Sequence, residues 1–211
     1  MQHTTIAVIG GTGKSGRYLV QQLISNRFPV KLLLRDPGKY PTHPTGITLV
    51  QGDARNYEAV HTLLEGCSAV ISTLGQPKGE SPIFSDATSN VIRAMHAHGI
   101  TRYIVTTGLN VDTPADQKSA ATALGTDWMK THYPQTTADK QKEWAILAES
   151  NIDWTLVRLP LIALSGANAP INISLEDCPG DKISATALAH FLMQQLTDTD
   201  YLKAAPFIAN R

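Results

Sequence analysis

The sequence predicts a doubly wound α/β fold: a parallel β-sheet covered by helices on both faces, with a small cap toward its C-terminal end. Short β-branched runs alternate with helical patterns over most of the 211 residues, and the first run ends in a glycine-rich turn that leads into a helix. The apolar runs are continuous rather than alternating, as parallel strands buried on both faces require. The length suits one domain spanning 1–211, with a core over about 1–160 and cap elements from about 108–136 and 161–211.

Ile6-Ala7-Val8-Ile9 is the first strand, and after the turn Leu19, Val20, Leu23 and Ile24 fall on one helical stripe. Val30 to Leu34 and Ile47 to Val50 are the second and third strands. Helices are predicted over 57–64 and 84–97, the latter entered through Ser81-Pro82 and ended before Gly99. Between them lies the strand Ala69-Val70-Ile71, and Tyr103-Ile104-Val105 is the fifth. Residues 108–136 carry irregular signals, with Pro114, Pro134, two glycines and a short helix near 120–128. A helix over 137–150 puts Trp144, Leu147 and Ala148 on one side, and Trp154 to Val157 is the sixth strand. The last helix covers 184–196, and Phe207-Ile208 is a terminal strand. Crossovers in such a sheet are right-handed and ligands sit beyond the carboxyl ends of the strands, so site residues are sought just after each one.

Composition excludes several function classes. Lys+Arg and Asp+Glu are 18 each, with a pI near 7.1, so no long-range field draws nucleic acid or an anionic membrane. Hydrophobic residues are 42% and charged ones 17%, which argues for a packed core and against disorder. The longest apolar runs are far short of a membrane span, and MQHTTIAVIGG has no basic leader segment, so a cytoplasmic location is expected. Cys67 and Cys178 form no Cys-x-x-Cys and are expected as buried small hydrophobes in a reducing compartment.

The turn after the first strand reads Gly10-Gly11-Thr12-Gly13-Lys14-Ser15-Gly16 and contains Gly-x-x-Gly-x-x-Gly. Glycine permits the tight turn, the approach of backbone to a pyrophosphate and close helix–strand contact, while the helix N-terminus offers free N–H groups to phosphate. A glycine triplet alone is unspecific; between a strand and a helix it points to a dinucleotide. Gly13-Lys14-Ser15 also resembles the end of a P-loop, but that motif needs glycine at position 8, which is Val8 inside the strand. A ligand-free glycine turn is the plain structural alternative.

The second strand ends in Arg35-Asp36-Pro37-Gly38-Lys39. An acid there would hold the ribose hydroxyl of NAD, whereas arginine accommodates the 2′-phosphate of NADP. Arg35 stands first and Lys39 follows, which favours NADP over NAD; a shifted strand end would instead bring Asp36 to the ribose, and a solvated charged loop is the third reading.

With these segments in place, the chain resembles the atypical short-chain dehydrogenase/reductase group, in its NAD(P)H-binding, NmrA-like branch, and within it the flavin and biliverdin reductases. The matching stretches are GGTGKSG, VKLLLRDPGKY, VQGDARN, AVISTLG, SPIFSDATSNVIRAMHAHGI and DKQKEWAILAESNIDWTLVRLPLI, in order along most of the chain. The resemblance implies a Rossmann fold, and it implies roles residue by residue. Thr12, Lys14 and Ser15 would hold phosphate beside Gly10, Gly13 and Gly16; Arg35 and Lys39 would take the 2′-phosphate; Asp53 and Ala54 would border the adenine. Leu74 and Gly75 would line the path to the nicotinamide, with Thr107, Pro160, Leu161 and Ile162 around that ring.

The chain also departs from the group. Typical members carry a serine after the fifth strand and a Tyr-x-x-x-Lys pair whose tyrosine exchanges a proton with the substrate oxygen. Here the matching positions are Gly108, Thr136 and Lys140, so the hydroxyls left nearby are Thr107 and Tyr133, the latter on a proline-containing stretch that would have to fold back. Thr107, Lys140 and Tyr133 are the catalytic candidates. His132 beside Tyr133 could donate a proton or simply sit in an exposed loop. His96 and His98, two apart on a helix, make no metal pair, and His61 and His190 read as ordinary helix residues, so no metal site is expected. Trp128, Trp144 and Trp154 could stack on a flat substrate, though the last two sit at core-like positions. Asp139-Lys140-x-x-Glu143 reads as a solvated helix face, and Ser165-Gly166 lacks the spacing of a hydrolase elbow.

Two functions from different classes remain. One is an NADPH-dependent reductase of a planar acceptor such as a flavin, quinone or tetrapyrrole, where solvent supplies the proton and a missing tyrosine is tolerable. The other is a non-catalytic NADP-binding sensor or regulator of NmrA type. A sugar-nucleotide epimerase needs the missing tyrosine and ranks last. The partners expected are a planar small molecule and no nucleic acid or membrane, with a monomeric or homodimeric chain.

Overall fold

The computed structural model describes residues 4–40 and 45–211. Its core is a sheet whose first strands are β1 (Thr5–Ile9), β2 (Val30–Leu34), β3 (Ile47–Gln51), β4 (Cys67–Ser72), β5 (Arg102–Gly108) and β6 (Asp153–Leu159). With β10 (Phe207–Asn210) and β8 (Ile171–Ser174) they form, among the described residues, an eight-stranded sheet in the order β3-β2-β1-β4-β5-β6-β10-β8. All pairs are parallel except β10 with β8. The winding reverses between β1 and β4, and this is the switch point at which a ligand crevice opens in such sheets.

Alternate residues of each strand feed two cores. Ala7, Ile9, Val70, Tyr103 and Val105 face α2 (Tyr57–Leu64), α3 (Phe84–His98) and α5 (Pro134–Glu149). Ile6, Val8, Leu32, Ile71 and Ile104 face α1 (Gly16–Ser25) and α6 (Ala185–Gln194). The stripe predicted for α1 buries Leu19 and Leu23 completely, each side chain removed from water contributing about 1.5–3 kcal/mol. Gly99, in the left-handed region at φ 67°, ends α3.

The C-terminal third differs most from the sequence expectation. The stretch 108–136 is not irregular: α4 (Ala120–His132) follows a polar loop, and α5 begins at Pro134 rather than Thr137. Proline suits the first turn of a helix, where its missing N–H is not needed. Two short strands, β7 (Leu161–Ala163) and β9 (Lys182–Ser184), pair with each other beside the main sheet. They and β8 carry too few residues for a legible period. The predicted terminal strand forms as β10 and lies between β6 and β8.

Arg158 fastens this region to the sheet. Its fully buried guanidinium, stacked 3.5 Å from the Phe207 ring, donates to the carbonyls of Ala205 and Leu175 and pairs with Asp116 at 2.5 Å. Lys118 binds Asp112 at 2.6 Å and the Leu109 carbonyl at 3.0 Å. The loop after β5 is thereby pinned through charged hydrogen bonds as well as by the buried Val111. Cys67 and Cys178 are half-buried free thiols, not fully buried as expected. Among the described residues no helix is long and apolar enough to cross a membrane.

Candidate functional site

Beyond β1 the chain turns at Gly10, at φ +76°, where a Cβ would stand 2.7 Å from the backbone of Thr73. The Gly13 amide donates to the Gly10 carbonyl at 2.9 Å and closes the loop. Gly16 then opens α1 so close to the Gly10 carbonyl and the Thr73 hydroxyl that no side chain fits. Two glycines thus serve the packing of loop against sheet. Gly13 differs: it is exposed, with the Gly10 carbonyl 3.1 Å from where its Cβ would be. Ser15 makes no capping hydrogen bond, so no side chain of the loop caps the start of α1.

Gly10, Thr12, Gly13, Arg35, Asp53, Ala54, Leu74 and Gly75 line one cleft of about 310 Å³ at the carboxyl ends of β1 to β4. Arg35 and Thr12 also border an adjoining hollow of about 430 Å³ with Asp36 and Tyr40. Lys14 and Ser15 follow on the same loop, Lys14 exposed. Asp36 caps the short 3-10 turn Pro37–Lys39, accepting the Gly38 amide at 3.2 Å. The side chain of Lys39 lies outside the described residues.

Charges are arranged across the β2–β3 end of this cleft. Arg35 meets Glu80 at 2.6 Å, and Arg55 meets both Glu80 and Asp53 at 2.5 and 2.9 Å. Hydrogen bonds from Arg55 hold the Asp53 carboxyl below the usual carboxylate range, and those from Arg55 and Arg35 do the same for Glu80.

A second, largely apolar pocket of about 580 Å³ opens at the ends of β5 and β6. Gly108, Leu109 and Asn110 form its floor, Trp128 and Met129 of α4 one wall, and Pro160, Leu161 and Cys178 the other. Of the predicted ring contacts, Pro160 is buried, Leu161 is 78% exposed at the rim and Ile162 is partly exposed. Sequence reasoning missed Asn110. It is buried, its Nδ2 donates to the Thr137 hydroxyl, and its Oδ1 has no partner. That oxygen fills the space a side chain at Gly108 would take, so the glycine found where the resemblance implies serine is a packing requirement of Asn110. The only sequence signal was that glycine itself.

The catalytic candidates are not joined. Thr107 is buried with an unpartnered hydroxyl, Lys140 rests its ammonium 4.7 Å from the Phe84 ring, and Tyr133 is 52% exposed at the joint of α4 and α5. Tyr133 does not fold back; helix on both sides fixes it near Trp128, ring centroids 5.7 Å apart. His132 stacks on Trp128 and accompanies it at the surface.

The Asp139–Lys140–Glu143 face is not solvated. Asp139 accepts the Phe84 and Ser85 amides at the start of α3, and Glu143, 3% exposed, accepts the Thr88 hydroxyl at 2.8 Å. Desolvation pushes the Glu143 carboxyl up to about 7 and lowers Lys140. Helical spacing set these charges on one face; the packing of α3 decided which face it was. No cluster of residues able to hold a metal ion occurs among the described residues.

Comparison with known proteins gives this geometry a family. The sequence profile described as NAD(P)H-binding matches residues 10–199. The chain belongs to the NAD(P)H-binding family. Its fold is that of NAD(P)-binding Rossmann reductases. ChuY, an anaerobilin reductase from Escherichia coli, superposes with a TM-score of 0.82 at 17% identity over 98% of this chain and 97% of that one. A short-chain dehydrogenase/reductase from Veillonella parvula, solved in complex with NADP, gives 0.81 at 14% over 99% and 95%. Among curated proteins, an isoflavone reductase homologue of Nicotiana tabacum is 32% identical over 122 residues, covering 53% of this chain and 37% of the relative. The chain thus spans well under half the length of that curated relative.

Proposed function

We propose that the protein is an NADPH-dependent reductase of a planar, largely apolar acceptor such as a flavin, quinone or tetrapyrrole. The observation that carries this reading is the adjacency of two spaces along one sheet edge. The glycine-lined cleft lies over β2, β1 and β4, and the apolar pocket begins at the next strands, β5 and β6. The cleft fits a dinucleotide: Gly10 and Gly16 hold the loop tight, and Gly13 leaves its outer face clear for a pyrophosphate beside Thr12, Lys14 and Ser15.

When bound, NADPH supplies a hydride, two electrons and one proton; the acceptor takes a second proton from solvent and leaves reduced by two electrons and two protons. Trp128 and Pro160 bracket the acceptor's plane and Leu161 covers its edge. Arg35 would hold the 2′-phosphate. Tyr133 plays no part, which is why the acceptor is a conjugated ring that solvent can protonate rather than a ketone that needs a positioned acid. ChuY, a structural neighbour, is an anaerobilin reductase, which agrees in kind with this class of acceptor.

The test is NADPH and NADH oxidation, followed at the nicotinamide absorbance, against FMN, FAD, a quinone and biliverdin, with cofactor binding titrated on the same samples. Turnover with one of them is the expected result. Tight NADPH binding with no turnover on any acceptor would replace this reading with that of an NADP-binding regulator.

A further inference from the structure

We propose that Glu80 sets the cofactor preference of this chain, by occupying Arg35 in competition with the 2′-phosphate. The inference rests on the dinucleotide reading of the cleft and deepens it. The residue expected to select NADP is not waiting for a phosphate. Arg35, at the end of β2, already donates to one Glu80 oxygen at 2.6 Å, while Arg55, beyond β3, donates to the other at 2.5 Å and to Asp53 at 2.9 Å. Two guanidinium groups and two carboxylates make a chain of zero formal charge across the cleft's adenosine end.

Glu80 reaches this position from the segment after β4, and the fold holds that segment there. The Gln76 side-chain amide donates to the carbonyls of Pro77, Glu80 and Ser81 at 3.1, 2.9 and 3.2 Å. Gln76 and Pro77 themselves line the cleft beside Asp53 and Ala54. Glu80 is therefore a placed charge, set opposite the strand end that reads the ribose.

The consequence follows from charge alone. A 2′-phosphate brings about 1.5 to 2 negative charges, as phosphate monoesters do near neutral pH. Glu80 holds Arg35 through Nη1, so a phosphate must displace the carboxylate from that nitrogen or share the guanidinium with it, and in either case the carboxylate stands beside the phosphate. An unphosphorylated ribose meets neither effect. Glu80 thus narrows the preference for NADPH that Arg35 creates.

The experiment is fluorescence or calorimetric titration of NADPH and NADH into the wild type and Glu80→Gln, at low and at physiological salt, with thermal unfolding as a check on the fold. Removing one charge should tighten NADPH by roughly three- to tenfold and move NADH by less than twofold, with the gain shrinking as salt rises. Glu80→Ala should likewise tighten NADPH while moving NADH by less than twofold. If NADPH instead weakens, Glu80 orients Arg35 rather than occupying it; if the NADPH to NADH ratio is unchanged, Glu80 has no part in selection. Either result overturns the proposal while leaving the cleft as the cofactor site. Failure of the wild type to bind either dinucleotide would overturn both.

Discussion

Asp139 on α5 accepts the backbone amide of Phe84, the first residue of α3, at 2.8 Å. Ile83 stands at the N-cap of that helix and has no side chain able to cap it, so the cap is supplied from 55 residues away by Asp139, which also accepts the Ser85 amide and hydroxyl. The pair locks α5 onto α3 and sets the face that carries Lys140. Asp139→Ala should cost about 1–2 kcal/mol in urea denaturation, the usual worth of a lost cap. A loss below about 0.3 kcal/mol would mean that apolar packing alone fixes the start of α3.

Glu143 gives the fold a pH dependence. Its carboxyl is raised from 4.5 to about 7, desolvation being the largest cause, so between those values the native state keeps a proton that the unfolded chain has released. Stability therefore falls as pH rises through that window, by at most about 3 kcal/mol. Glu143→Gln removes the titrating group but keeps an oxygen for the Thr88 hydroxyl. Its unfolding free energy should decline less than the wild type's between pH 5 and pH 8; parallel profiles would show that Glu143 is ionised in both states.

The glycines of the first loop separate stability from binding. Gly16→Ala drives a Cβ into the Gly10 carbonyl, so the loop or α1 must shift, at about 2 kcal/mol of stability. Gly13→Val asks the Gly10 carbonyl to give by a few tenths of an ångström, far less than Gly16→Ala demands, and should abolish detectable NADPH binding, since its added methyls stand where phosphate approaches. Wild-type affinity in Gly13→Val would remove that loop from the cofactor site.

Arg35→Ala should weaken NADPH by about tenfold and NADH by far less, because only the former loses a charge-assisted phosphate contact. Titration of both cofactors reads this directly. Equal losses would assign Arg35 to the integrity of the ion chain with Glu80 rather than to the phosphate.

Trp128 is half-exposed on α4 and contributes little to the core. Trp128→Ala should raise KM for a planar acceptor about tenfold, leaving the NADPH Kd and the unfolding midpoint unchanged. An unaltered KM would place the acceptor elsewhere than the pocket between α4 and Pro160.

The sequence by itself determined the wound sheet, the glycine loop and the positions of six strands along the chain. Each rests on local rules: an apolar run of five residues, a helical stripe, a turn that only glycine can make. Gly10 and Arg35 were legible from the glycine turn and the strand end, whereas Thr12, Asp53 and Leu74 were named by the family resemblance; the structure lines one cleft with all five. Tertiary structure alone decided what long-range packing controls. It put Asn110 Oδ1 where a side chain at Gly108 would stand, turned Tyr133 outward at a helix joint, buried Glu143 under α3, and set Glu80 against Arg35. None of these contacts has a sequence period, because each joins residues whose neighbours in space are chosen by the packing of separate elements.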